Sequence, residues 1–386
     1  MTYQERADTA LVAWKRDQPQ TIAVDTETEG VAFFDRAFCG TVAWRKPAPQ
    51  MAYIGEGPGP KNVMQTNGTV VPYGVFKASK ESAGEIESHY IEFVEEDHSN
   101  ALRQIMLGTS LWVFHNSKFD LQKLILAGVV GRQHVSPHRI EDTEALAHLQ
   151  VTERRKGLKF LAELLLGIPN TEEAELKEAM KKNKLKLEEG YHLLPREILI
   201  PYAVQDAVDT LLLYEHLRPY ITSYSELEAL YADEREITLI LLDMEARGVR
   251  INPAYVSEQL KHYSSLYVKV ERAIGTLVGK PIGKSVKAGE FNPGSPKQLG
   301  EYFTEKDIHT TFTTKKGQPS YGKDFLASCD DPLAELLTQY RDIEKMKNTY
   351  FLAIHEEHRE GILHPNFRQH QTKTGRFSSG DAGKDD

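Results

Sequence analysis

The stretch TIAVDTETEG, residues 21–30, constrains the fold more than any other part of the chain. Ile22, Ala23 and Val24 supply the apolar run of a short buried strand, and strand alternation then sends the side chains of Asp25, Glu27 and Glu29 to one face. Carboxylates crowded at the end of a buried strand repel, so something at that face has to offset their charge. Divalent cations do so where hard oxygen ligands converge from several elements.

The surrounding pattern is α/β. Strands are predicted over residues 21–24, 37–44 (AFCGTVAW) and 110–115 (SLWVFH), the last running into NSKFDLQKLILAGV, a helix with Asn116 or Ser117 as its cap and Gly128 as its end. Residues 46–68 are rich in Pro and Gly and read as loops and turns, and no role is assigned to residues 46–98. KGLKFLAELLLG carries apolar residues at helical spacing, while 172–190, with alternating acids and bases, reads as a solvated helix or mobile excursion. IPYAVQDAVDTLLLYEHL is a helix from Ile200 with Pro201 in its first turn. On it Tyr202 and Asp206 share a face, next to a packing face of Ala203, Val204, Ala207 and Leu211. From about Glu226 the pattern turns helical, beginning with a long amphipathic helix that ends at Gly248, and a domain boundary is expected near residue 215.

Charge has to be read in two parts. Residues 261–386 hold 19 Lys and Arg against 17 Asp and Glu, leaving 28 against 39 in residues 1–260. An acidic first part argues against a passive nucleic-acid coat, which needs a basic footprint, but not against an enzyme that meets phosphates through bound metal ions. With no 18-residue apolar run, no signal-like start, and Cys39 and Cys329 in no metal or redox spacing, a cytoplasmic chain without a membrane span is expected.

Phosphodiester hydrolysis by two divalent ions needs several carboxylates from different elements. Asp25 and Glu27 at a strand end, Asp120 on the first turn of a helix, and Asp206 on a later helix with Tyr202 one turn before it supply such a set. Strand-borne DxE, then HNSKFD, then YxxxD resemble, in that order, the three exonuclease motifs of the DEDD superfamily in its tyrosine-containing branch. Further on, LLDMEARGVRIN (241–252), FNPGSPKQLGEYF (291–303), TTKKGQPSYGKDFL (313–326), LTQYRDIEKMKNTYF (337–351) and GILHPNFRQHQTKTGRFSS (361–379) are similar, in order, to the thumb and early palm of family A DNA polymerases, the family of DNA polymerase I and many bacteriophage replicases.

The resemblance implies a 3′–5′ proofreading exonuclease domain over residues 1–215, a ribonuclease H-like mixed β-sheet flanked by helices with the carboxylates at one end, and a mostly α-helical thumb and palm beginning over residues 216–386. It implies Asp25, Glu27, Asp120 and Asp206 as ligands of two divalent ions, Mg²⁺ or Mn²⁺, with Tyr202 orienting the attacking water and nucleoside monophosphates as product. Glu27 can also orient that water; Asn116 either steadies Asp120 or the substrate or simply caps its helix; Glu29 matches no ligand and is read as leaving the metal face. DNA is the implied partner, as a single-stranded 3′ end at the nuclease and a primer–template duplex at the thumb, met by Asn292, Ser295, Gln298, Lys315, Lys316, Arg341, Lys345, Lys347 and Arg376. After TGRFSS the sequence reads GDAGKDD, without the palm aspartates and fingers of the family. Three readings stand: half of a split polymerase whose palm and fingers come from a separate chain, a stand-alone 3′–5′ exonuclease, or a non-catalytic DNA-binding or assembly fragment.

Overall fold

The computed structural model describes residues 2–30, 32–47, 85–93, 96–151, 155–185, 191–283, 289–314, 316–372 and 374–380. Two compact units result: residues 1–247 with 365–386, and residues 248–364. Among the described residues no helix is long and apolar enough to cross a membrane.

The first unit runs α1 (Tyr3–Asp17), β1 (Thr21–Thr28), β2 (Ala37–Arg45), β3 (Ile86–Glu92), α2 (Glu96–Gly108), β4 (Leu111–Phe114), α3 (Ser117–Leu126), β5 (Ile140–Asp142), α4 (Thr143–His148), α5 (Leu158–Leu161), α6 (Thr171–Lys182), α7 (Arg196–Thr222) and α8 (Ser225–Arg247). The sheet has the order β3-β2-β1-β4-β5, with β2 antiparallel to both β1 and β3 and with β4 and β5 added in parallel to β1. It is therefore mixed and flanked by helices, as expected.

Alternation along β1 decides what each face meets. Ile22 and Val24 point into a core with Ala7 and Ala10 of α1, Leu102 and Ile105 of α2, Phe114, and Leu121 of α3. Ala23 points the other way, packing with Ala43 and Val113 against Ala207 and Leu211 of α7. Small residues on both sides of that second contact let the α7 backbone come close to the sheet. Because side chains alternate, Asp25 and Glu27 continue the α7 face and Thr26 the α3 face.

Several local expectations change. α7 starts at Arg196, so Pro201 lies inside the helix and not in its first turn. Leu199 is fully buried, and its packing outweighs the hydrogen bond that Pro201 cannot donate. α6 is a helix, but it is not merely solvated: Leu176, Ala179 and Met180 are buried with Leu194, against partly buried Tyr202. The boundary expected at 215 falls inside α7, and α8 packs into the first core through Leu239 and Leu242. The two compact units part after Arg247, where Gly248 adopts φ +65. The loop reading of residues 46–98 lies mostly outside the described residues, as do 186–190 and 381–386.

The second unit holds β6 (Val249–Arg250), α9 (Pro253–Val278), α10 (Pro296–Glu305), α11 (Lys323–Ala327), α12 (Pro332–Glu344), a π-helical stretch (Lys345–Leu352), α13 (Ala353–Glu357) and β7 (Ile362–Leu363). It is mostly helical around a core of Tyr267, Ile274, Phe303, Phe325, Leu337 and Tyr340, in which the Tyr267 and Tyr340 hydroxyls meet at 2.6 Å. The chain then returns to the first unit as the two-stranded β8 (Phe367–Arg368) and β9 (Ser378–Ser379).

Candidate functional site

The α7 face of β1 ends in carboxylates. Oxygens of Asp25, Glu27 and Asp206 lie within 4.8 Å of one another, with Glu27 and Asp206 buried and Asp25 partly open. A register shift at Glu27/Thr28, where the β1–β2 pairing skips Phe38, marks the strand end at which these side chains gather. Glu29, beyond the strand, is exposed and outside the cluster.

Asp120 approaches from the α3 face. Its Oδ1 accepts hydrogen bonds from the Thr26 N–H at 2.9 Å and the Thr26 hydroxyl at 2.7 Å. Thr26 thus ties the fourth carboxylate to the backbone between Asp25 and Glu27. Asp120 sits on the first turn of α3, where the helix dipole favours an anion.

Neither Asn116 nor Ser117 caps α3 with its side chain. Asn116 takes φ 65, and the carboxylate of Asp142 accepts the Asn116 and Ser117 N–H groups at 3.1 and 2.7 Å. The same carboxylate caps α4 through the Glu144 N–H. Asn116 lines a cleft of about 150 Å³ shared with Lys118, Asp142, Glu144 and the segment from Asn366 to Gln371.

Burial dominates the electrostatics. It raises the Asp25 and Glu27 carboxyls well above the ordinary range, and the charges of Asp120 and Asp206 push them further. Asp120 is pushed up to about 7 by burial, against the Thr26 hydrogen bonds. Asp206 rises to about 6 by burial, against the pull of Lys159. Tyr202, one turn before Asp206, is raised above its usual value by burial and by the Asp206 and Glu27 charges.

The sequence reading missed Lys159. From α5 its ammonium pairs with Asp206, lies 3.0 Å from Asp209 Oδ2, and stands 5.3 Å over the Tyr202 ring. Its only sequence signal was a lysine interrupting an apolar helical run. Asp142 was also missed, because its partners lie 25 and 26 residues away.

These residues fit divalent cations. The donors are hard oxygens from separate elements, and burial with the neighbouring acids holds the Asp25 and Glu27 carboxyls well above their ordinary range, a disfavoured charge that bound cations would offset. A pH effect follows. Asp120 and Asp206 release protons near 3.8 when unfolded but near 7 and 6 when folded, so the folded chain binds more protons between those limits. Their contribution to stability is complete at low pH and is lost as pH rises through 6 to 7. Asp17, held down to about 2 by Arg16, acts with the opposite sign but is fully ionised by pH 5. Thermal unfolding in chelator should therefore fall by on the order of 5 °C from pH 5 to pH 8. Added Mg²⁺ or Mn²⁺ should recover most of that loss at pH 8.

The residues expected to meet duplex DNA are partly engaged within the second unit. Ser295 caps α10 by accepting the Gln298 N–H, Gln298 accepts the Asn292 N–H at 2.6 Å, and Asn292 Oδ1 accepts the Gly294 N–H at 2.8 Å. Arg341 donates to the Tyr321 carbonyl at 2.8 Å. Lys345 lies over the Tyr350 ring and Lys347 over the Tyr267 ring, while Lys316 is exposed. In the first unit Arg376 is exposed, its carbonyl accepting the Thr372 hydroxyl. Lys315 lies outside the described residues.

Comparison with known proteins agrees with this division of chemistry. Residues 78–222 match the family model described as 3′-5′ exonuclease, and residues 257–382 that of DNA polymerase family A. The DNA polymerase I of Chloroflexus aurantiacus is 30% identical over 277 residues, covering 69% of this chain and 27% of that protein. The DNA polymerase of Escherichia phage T5 is 31% identical over 291 residues, covering 69% and 33%. The chain thus spans about a third or less of the length of these relatives. The solved structure of the POL domain of Pol1 from M. smegmatis, in complex with DNA primer-template and dNTP, shares the fold with a TM-score of 0.59 at 17% identity, covering 96% of this chain and 53% of that one. The exonuclease match begins after β1, and the fold is what brings Asp25 and Glu27 to Asp206 inside it. With the two family matches in succession along one polypeptide, the chain belongs to DNA polymerase family A and carries a 3′-5′ exonuclease domain.

Proposed function

We propose that the chain hydrolyses DNA from the 3′ end in a metal-dependent reaction, as the proofreading nuclease of a family A polymerase, on a ribonuclease H-like domain. The observation that carries the reading is the convergence of Asp25, Glu27 and Asp206, with Asp120 tied alongside through Thr26. Asp25, Glu27, Asp206 and Asp120 would hold two divalent ions, Mg²⁺ or Mn²⁺. Such ions, when bound, stabilise charge on the phosphoryl oxygens and acidify the attacking water.

The protein's own groups have distinct tasks. Tyr202 stays protonated through the neutral range, so it acts as a hydrogen-bond partner that orients water and not as a base. Tyr202→Phe should lower the hydrolysis rate roughly 10- to 100-fold while leaving the melting temperature nearly unchanged, as single-turnover kinetics and thermal unfolding would show. Glu27, buried beside Asp206, can direct one oxygen to a ligand and the other to water. The second unit and the exposed Arg376 would hold primer–template duplex, a role supported by the DNA primer-template bound in the M. smegmatis structure.

The test is a 5′-labelled single-stranded oligonucleotide incubated with the purified chain and Mg²⁺ or Mn²⁺. The expected result is progressive shortening from the 3′ end, with nucleoside monophosphates released and chelator abolishing the reaction. Failure to shorten the strand with either ion, or shortening that persists in chelator, would overturn the proposal.

A further inference from the structure

A buried lysine among carboxylates meant for cations needs an account. Lys159 keeps 11% of its side chain exposed, Asp206 9% and Asp209 1%, so this is not a surface ion pair. Two anchors fix the ammonium. Asp209 lies outside the carboxylate cluster; its Oδ2 is 3.0 Å from Lys159 Nζ, and its Oδ1 accepts from Gln205 Nε2 at 2.6 Å. Asp209 is therefore the tether. Asp206, one helical turn away on α7, is the target, and the Tyr202 ring closes the other side of the ammonium at 5.3 Å. The stem starts from α5, whose Leu161 is locked in a core with Leu146 and Leu213. The cation is thus held from both ends and does not drift in and out as a solvated lysine does.

We propose that Lys159 is a positioning residue of the exonuclease site: tethered by Asp209, it fixes Asp206 and Tyr202 for turnover and keeps a permanent positive charge inside the carboxylate cluster, which weakens divalent-cation binding. The inference rests on the function proposed above and deepens it. A fixed cation next to a metal ligand repels an incoming cation, so removing it leaves a more negative site. Lys159 therefore trades metal affinity for the geometry of Asp206 and Tyr202. A residue serving only to stabilise the fold predicts no gain in affinity.

Lys159→Met and Lys159→Arg in the full chain separate the two roles. Mn²⁺ binding, measured by electron paramagnetic resonance without DNA, should tighten about tenfold in Lys159→Met. The kcat on a single-stranded oligonucleotide at saturating Mn²⁺ should fall at least tenfold, with KM changed by about twofold or less. Lys159→Arg should return both quantities to within about threefold of the parent chain. A folded Lys159→Met that binds Mn²⁺ as before or more weakly would overturn the proposal, as would one with unchanged kcat. Should Lys159→Met fail to fold because Asp209 is left buried alone, the double variant Lys159→Met/Asp209→Asn removes that charge and carries the same two measurements. An inactive parent chain would instead refute the nuclease reading, while the Mn²⁺ measurement would still decide the role of the lysine.

Discussion

Replacing Asp25 and Glu27 together by alanine is expected to reduce 3′-end degradation of single-stranded DNA by on the order of a thousandfold or more, with the fold intact. Both side chains belong to the group of three carboxylates within 4.8 Å, and their loss leaves Asp206 paired mainly with Lys159. The charge stabilisation that bound cations give a phosphoryl transition state is worth several kcal/mol, and about 1.4 kcal/mol corresponds to tenfold in rate. The same change should make the metal-free protein slightly more stable at pH 8, because it removes buried, mutually repelling acids. Rate loss accompanied by a rise in melting temperature separates a site defect from misfolding. Unchanged degradation would show that hydrolysis takes place elsewhere.

Lys118→Met should be the most damaging single change to stability. Lys118 Nζ donates to Glu245 and, at 3.0 Å, to Asn366 Oδ1, and Glu245 is 3% exposed. Glu245 also accepts the Phe367 N–H at 2.6 Å. Without Lys118 a buried carboxylate loses a cationic partner, which costs roughly 3–5 kcal/mol. For a domain of this size the melting temperature should drop by about 10 °C. The double variant Lys118→Met/Glu245→Gln should recover much of the loss, since the group facing the lost ammonium is then neutral. Calorimetry on the three variants tests this, and a Lys118→Met melting within about 2 °C of the parent would remove the pair from the stability account.

Much of the site was legible because its signals are local. Asp25 and Glu27 announce themselves by period-two spacing after an apolar run, and Tyr202 and Asp206 by four-residue spacing on a helix. What stayed hidden depends on contacts between distant residues. Lys159 lies 47 residues before Asp206 and 50 before Asp209, and nothing beside it marks it as buried. Thr26 looked like a spacer, although it carries the two bonds that hold Asp120.

The strands show the same limit. β3 (IESHYIE) and β5 (IED) escaped notice because one is polar at most positions and the other is three residues long, so neither offers a strong alternation. Pro201 suggested a helix start, but α7 begins five residues earlier at Arg196, with Leu199 buried two residues before the proline. The acidic and basic pattern of α6 hid Leu176 and Met180, which lie about one turn apart and pack towards Tyr202.

The wide sequence separation of the acids has a consequence for biosynthesis. β1 leaves the ribosome before α3 and α7, Asp120 is joined to Thr26 across 94 residues, and Asp206 is translated only when α7 is made. The cluster cannot close until α7 has lain down on Ala23 and Ala43. A growing chain shorter than this helix carries no assembled carboxylate cluster, so the nuclease activity proposed above would stay silent until the domain that confines it is complete.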